Sequence, residues 1–131
     1  LLCSVITEDK LKGDFFLMGK EFLESKKCSA CSGLSEPLSS KEIPPLLAQL
    51  DGWVVEGEKR LEKTFHFKDF TKPLQLLNAV AFVSEIQGHH PDMELSWGRL
   101  FIRIYTHKIN GLHLNDFILA KKIDEICRVS S

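Results

Sequence analysis

The chain has 131 residues, of which 44% are hydrophobic and 27% charged, and its 17 basic and 18 acidic side chains give a formal net charge of −1. That is the composition of one ordinary globular domain with an arm. No apolar run approaches the ~20 residues of a membrane span, and no basic stripe suited to nucleic acid is visible. Neither a membrane nor direct nucleic-acid binding is expected.

Residues 1–38 read as an N-terminal extension and linker, and residues 39–131 as the domain. Leu11, Phe15, Met18 and Phe22 share one helical face, although Gly13 and Gly19 weaken that helix. KKCSACSGLSEPLSS (26–40) has the composition of a linker. The chain opens on Leu1, which reads as a fragment or a processed product. Early acidic residues, and no arginine before Arg60, do not fit an intact transit peptide.

The four cysteines are Cys3, Cys28, Cys31 and Cys127. Without a visible signal peptide they suggest a reducing compartment, hence a cytoplasmic protein, with an organelle as the alternative because of the extension. Cys28-x-x-Cys31 lacks the second pair that a zinc site needs. It also does not open a helix after a strand, as a thioredoxin-type pair does.

From residue 39 the pattern tightens. Ser39 and Glu42 have the spacing of a capping box, predicting a helix through Leu46, Leu47 and Leu50 that ends near Gly52. Pro44 and Pro45 push its true first turn later. WVVEGEKRLEKTFHF (53–67) predicts two strands turning around Gly57, with Leu61, Phe65 and Phe67 on one face. FTKPLQLLNAVAFVSEIQ (70–87) predicts a long helix whose wide apolar arc implies burial on more than one side. MELSW (93–97) and RLFIRIYTH (99–107) predict a hairpin at Gly98, with Leu100, Ile102 and Ile104 opposite Phe101, Arg103 and Tyr105. A last helix runs from about Asn115 to Cys127 and buries Leu119, Ile123 and Ile126 or Cys127. The order α-β-β-α-β-β-α implies an α+β fold, a four-stranded antiparallel sheet with helices packed on one face.

Three of the five histidines, His89, His90 and His107, fall at junctions between elements, where side chains can converge. Glu85 lies one helical turn before His89, and Asp116 lies in the first turn of the last helix, where a carboxylate suits the helix dipole. Imidazole titrates near ~6.5 when unperturbed, so such a set suits acid–base chemistry. On pattern alone, a metal site and a histidine-rich loop remain open as well. Adjacent histidines point their rings apart, which disfavours a shared metal. Trp97 reads as core, and His66 and His113 as surface or cap residues.

Glu85, His89-His90-Pro91, Trp97, His107 and Asp116, with three, five, nine and eight residues between them, resemble the signature of the pterin-4a-carbinolamine dehydratases. GW at 52–53, FHFKDF at 65–70, THxxxGL at 106–112 and DFILA at 116–120 match further landmarks of that family. The resemblance implies that the histidine pair closes the long helix beside a pterin pocket and that the third histidine arrives from a strand end. It implies dehydration of a 4a-hydroxytetrahydropterin to quinonoid dihydropterin in tetrahydropterin recycling, with no metal and no organic cofactor.

The catalytic set it implies is His89, His90, His107 and Glu85. His89 and His107 are acid–base candidates, their split left open, and Glu85 holds His89 or joins the proton relay. Trp53, His90, Thr106 and His107 form the substrate-binding set, with Trp53 as an aromatic wall and His90 orienting the pterin. The resemblance also implies a homodimer or homotetramer joined through edge strands, built through the 93–105 hairpin or the helices beside it. The alternative is a non-catalytic binding module, a dimerisation cofactor of a transcription factor or an organellar assembly factor, with a protein partner.

Two departures stand out. His113 replaces the usual Ser or Thr and is a poor cap, so Asn115 is expected to cap a later helix start, displacing Asp116 into a structural role. Gly88 precedes the histidine pair and fits a left-handed helix end.

Overall fold

The computed structural model describes Leu23 and residues 36–130. The expectations for the extension, including its helix, Cys3, Cys28 and Cys31, lie outside these residues, except that Leu23 is 1% exposed and belongs to the core. The elements in order are α1 (Ile43–Leu47), β1 (Val54–Glu56), β2 (Arg60–His66), α2 (Thr71–Gln87), β3 (Asp92–Ser96), β4 (Arg99–Ile104), a 3-10 turn (His107–Ile109) and α3 (Leu114–Ser130).

The four strands form one antiparallel sheet in the order β1-β2-β4-β3. Leu61 pairs with Ile104 across β2 and β4, and Leu95 with Leu100 across β3 and β4. The period-two pattern then separates the faces. Leu61, Leu100, Ile102 and Ile104 have no exposure and pack beneath α2 and α3, each worth about 1.5–3 kcal/mol of burial. Phe117, Leu119 and Ile123 of α3 complete the same core. On the opposite face Arg103 donates to Glu62 at 2.8 Å, and that hydrogen bond raises the guanidinium pKa above its ordinary value. The α+β architecture expected from the periodicity is the one found.

Three expectations need correction. The first helix is one short piece, because the prolines occupy its opening turn and the chain past Leu47 tightens, with Gln49 N–H bonded to the Leu46 carbonyl and Leu50 N–H to that of Leu47. Of the capping box, Glu42 accepts from the Ser39 backbone N–H at 2.7 Å, which holds its carboxyl below the usual range. Helix α2 buries Pro73, Leu76, Val80 and Ser84 but leaves Phe82 and Ile86 exposed in the single chain. Trp97 is 70% exposed, not core. It sits in the tight β3–β4 turn, where Gly98 (φ +72°) lies so near the Phe67 carbonyl that any Cβ would meet it at 2.9 Å.

Candidate active site

Three element ends meet around Asp116. The first is the end of α2. Gly88 takes the left-handed conformation (φ 65°), its N–H bonds the Glu85 carbonyl, and the His89 N–H bonds the Ser84 carbonyl. This is a Schellman ending, for which glycine is suited because it lacks a Cβ. The turn sends the two histidines into different surroundings: the side chain of His89 is 11% exposed and that of His90 59%.

The second is the end of β4. The strand stops at Ile104, and Thr106 N–H bonds the Gly111 carbonyl at 3.0 Å, closing a small loop. Asn110, in the left-handed region at φ 46°, completes the reversal. The loop presents His107 at the surface, its ring 4.1 Å from that of Tyr105. Beyond Tyr105 stands the Arg60 guanidinium, 5.4 Å from the ring centroid.

The third is the start of α3. The helix begins at Leu114, earlier than expected, because His113 does cap it. Its Nδ1 accepts the Asn115 N–H at 3.2 Å, and its own N–H donates to Asp116 Oδ2 at 2.7 Å. This is a capping box with imidazole in place of a hydroxyl. Asp116 is therefore held in place, fully buried. Its Oδ2 also accepts from Thr106 Oγ1 at 2.9 Å, and its Oδ1 lies 2.6 Å from His89 Nε2.

The first two of these ends line a cleft of about 320 Å³ that includes His89, His90, Tyr105, Thr106 and His107, within the size range of small-molecule sites, and the third reaches it through the bonds of Asp116 to His89 and Thr106. The structure thus brings together the three histidines and Thr106. Glu85 reaches the same end of α2 but approaches His90 rather than His89, at 3.1 Å, with both side chains in water. His89 is held by Asp116 instead, a role the linear sequence hid because 27 residues separate the two. Trp53 is not brought there. It is buried, and its indole N–H donates to Asp124 at 2.8 Å. Asp124 lies eight residues along α3 from Asp116, roughly 12 Å at 1.5 Å per residue. Among the described residues no three His, Cys, Asp or Glu side chains form a metal-holding group, and no helix is long and apolar enough to cross a membrane.

The family model described as Pterin 4 alpha carbinolamine dehydratase matches residues 36–126. The chain belongs to that family. A Rickettsia bellii protein named "Putative pterin-4-alpha-carbinolamine dehydratase" is 46% identical over 103 residues, covering 78% of this chain and 91% of the relative. An Alkaliphilus metalliredigens protein of the same name is 45% identical over 104 residues, covering 79% and 94%. A crystal structure of a transcriptional coactivator/pterin dehydratase from Brucella melitensis superimposes with a TM-score of 0.66 at 30% identity, over 70% of this chain and 99% of that one. Every residue lining the cleft falls inside the segment matched as pterin carbinolamine dehydratase.

Proposed function

We propose that this dehydratase-family protein is a hydro-lyase that converts 4a-hydroxytetrahydropterin to quinonoid dihydropterin, in tetrahydropterin recycling. The observation that carries this reading is the hydrogen bond from His89, in the wall of a cleft shared with His90 and His107, to the buried Asp116 carboxylate behind it.

The chemistry asks for two proton movements. The N5 nitrogen pushes out the C4a–O bond, the departing oxygen takes a proton to leave as water, and the N5 proton goes to a base as the N5=C4a double bond forms. In the neutral ring, His89 Nε2–H donates to the Asp116 carboxylate, leaving the Nδ1 lone pair as the proton acceptor. In this reading that lone pair takes the N5 proton, with Asp116 orienting the ring as the third group of a catalytic triad does. His107, solvent-accessible beside Tyr105, protonates the leaving hydroxyl. His90, held towards Glu85, orients the pterin. Thr106 acts through Asp116, since its hydroxyl is committed there. Exchange with water returns both imidazoles to their starting states, and the scheme uses no metal or organic cofactor.

The test is His89→Ala and His107→Ala. Each should slow dehydration by on the order of 10²-fold or more, the usual effect of losing a general acid or base, with circular dichroism unchanged. Wild-type rates in both variants would sink the acid–base assignment.

A second reading rests on the outer face of α2. Phe82 is 69% and Ile86 66% exposed, and the two stand one helical turn apart. Side chains of this kind mark interaction surfaces when they cluster, and the similar Brucella protein is named a transcriptional coactivator as well as a dehydratase. This face suits a homodimer or homotetramer, or a protein partner in a binding role.

A further inference from the structure

We propose that His113 is a positioning residue for His89, acting through Asp116. The inference rests on the role of His89 given above and adds a residue that touches neither substrate nor the reacting atoms.

The physical chain begins at the helix start. A helix start leaves backbone N–H groups without partners, and in α3 the Asn115 N–H finds His113 Nδ1 at 3.2 Å. Only an unprotonated ring nitrogen can accept that bond, so His113 is the tautomer with its proton on Nε2. Holding the first turn in this way sets the His113 backbone N–H against Asp116 Oδ2 at 2.7 Å. Thr106, at the end of β4, supplies the second donor to the same oxygen.

With Oδ2 held by these two donors, the carboxylate plane is set and Oδ1 points at His89 Nε2, 2.6 Å away. A carboxylate is a rotor about one bond, and two donors on one oxygen are what stop it turning. Remove the imidazole acceptor and the first turn of α3 frays. The His113 N–H then moves off Oδ2, and Asp116 keeps one anchor where it had two. The ring of His89 loses its defined orientation, to which a reacting geometry is sensitive at the scale of about 1 Å.

Histidine fills the place where a hydroxyl would cap, and it reaches the same N–H from a longer side chain. A hydroxyl at position 113 should therefore substitute for it, whereas a methyl group should not. That distinguishes positioning from simple packing.

The experiment compares His113→Ala and His113→Ser with two readouts. The first is steady-state dehydration. His113→Ala is expected to lower kcat roughly fivefold to tenfold, less than the about 10²-fold that a full 1 Å misplacement can cost, with KM unchanged, and His113→Ser to recover most of it. The second is the ring N–H resonance of His89 in the unliganded protein, read by nitrogen-15 NMR, expected to broaden or shift in the Ala variant and return in the Ser variant. Where Ala lowers thermal stability too far, His113→Gly, which costs the cap less yet supplies no side-chain acceptor for the Asn115 N–H, takes its place, with the same change in resonance and a smaller fall in kcat. An unchanged His89 resonance together with wild-type kcat in the Ala or Gly variant would overturn the proposal. Absence of dehydratase activity in the unaltered protein would remove the catalytic reading alone, because the resonance still reports whether His113 positions His89.

Discussion

His89 Nε2 and Asp116 Oδ1 stand 2.6 Å apart, tying the end of α2 to the first turn of α3 across 27 residues of sequence. The carboxylate has no exposed surface, and three donors from three segments converge on it: His89, Thr106 and the His113 backbone. A buried carboxylate is costly unless its oxygens are filled in this way.

Asp116→Ala should therefore lower the free energy of unfolding by on the order of 3 kcal/mol, because buried donors lose their acceptor. The same change should slow dehydration by on the order of 10²-fold. Urea unfolding and steady-state kinetics on one preparation check both. Wild-type stability would show that the three bonds do not hold Asp116 as described.

Much of this arrangement is legible along the chain. The alternation of Leu100, Ile102 and Ile104 with Phe101, Arg103 and Tyr105 predicts both faces of β4, and the buried and half-exposed residues fall accordingly. Gly88 before the histidine pair signals the left-handed helix end that turns His89 inwards. What periodicity does not contain is the choice between partners at similar reach. Glu85 is one turn from His89 in sequence, yet the Schellman ending rotates His89 towards α3 and leaves Glu85 to His90. His113 misleads for a related reason, since cap preferences describe the common residues and a ring nitrogen at the right distance does the same work. Trp97 reads as core because it is large and apolar, but its place in a tight turn beside Gly98 leaves its side chain in water.

Trp53 offers a second check. Its indole N–H donates to Asp124, which also accepts from Lys63 at 3.0 Å and from the Asp51 N–H at 2.9 Å. Trp53→Phe should lower stability by about 1 kcal/mol through the lost hydrogen bond and leave KM for the pterin unchanged. Thermal unfolding and initial-rate kinetics decide. A several-fold rise in KM at wild-type stability would put Trp53 back in the wall of the substrate site.

The outer face of α2 predicts association. Phe82 and Ile86 are two-thirds exposed in the single chain, and burying them in a symmetric contact would add apolar area at little cost in polar desolvation. Light scattering at micromolar concentration should give at least twice the 14.9 kDa chain mass, and Phe82→Glu with Ile86→Glu should shift the protein towards the monomer. A clean 14.9 kDa mass for the unaltered chain would contradict self-association through this face.

The most direct measurement is the rate at which the purified protein dehydrates freshly generated 4a-hydroxytetrahydropterin, followed by ultraviolet absorbance against the uncatalysed reaction. The predicted result is loss of the carbinolamine at a rate proportional to protein concentration, reduced on the order of 10²-fold by His89→Ala. Decay at the spontaneous rate at every protein concentration, with the protein folded, would contradict the account.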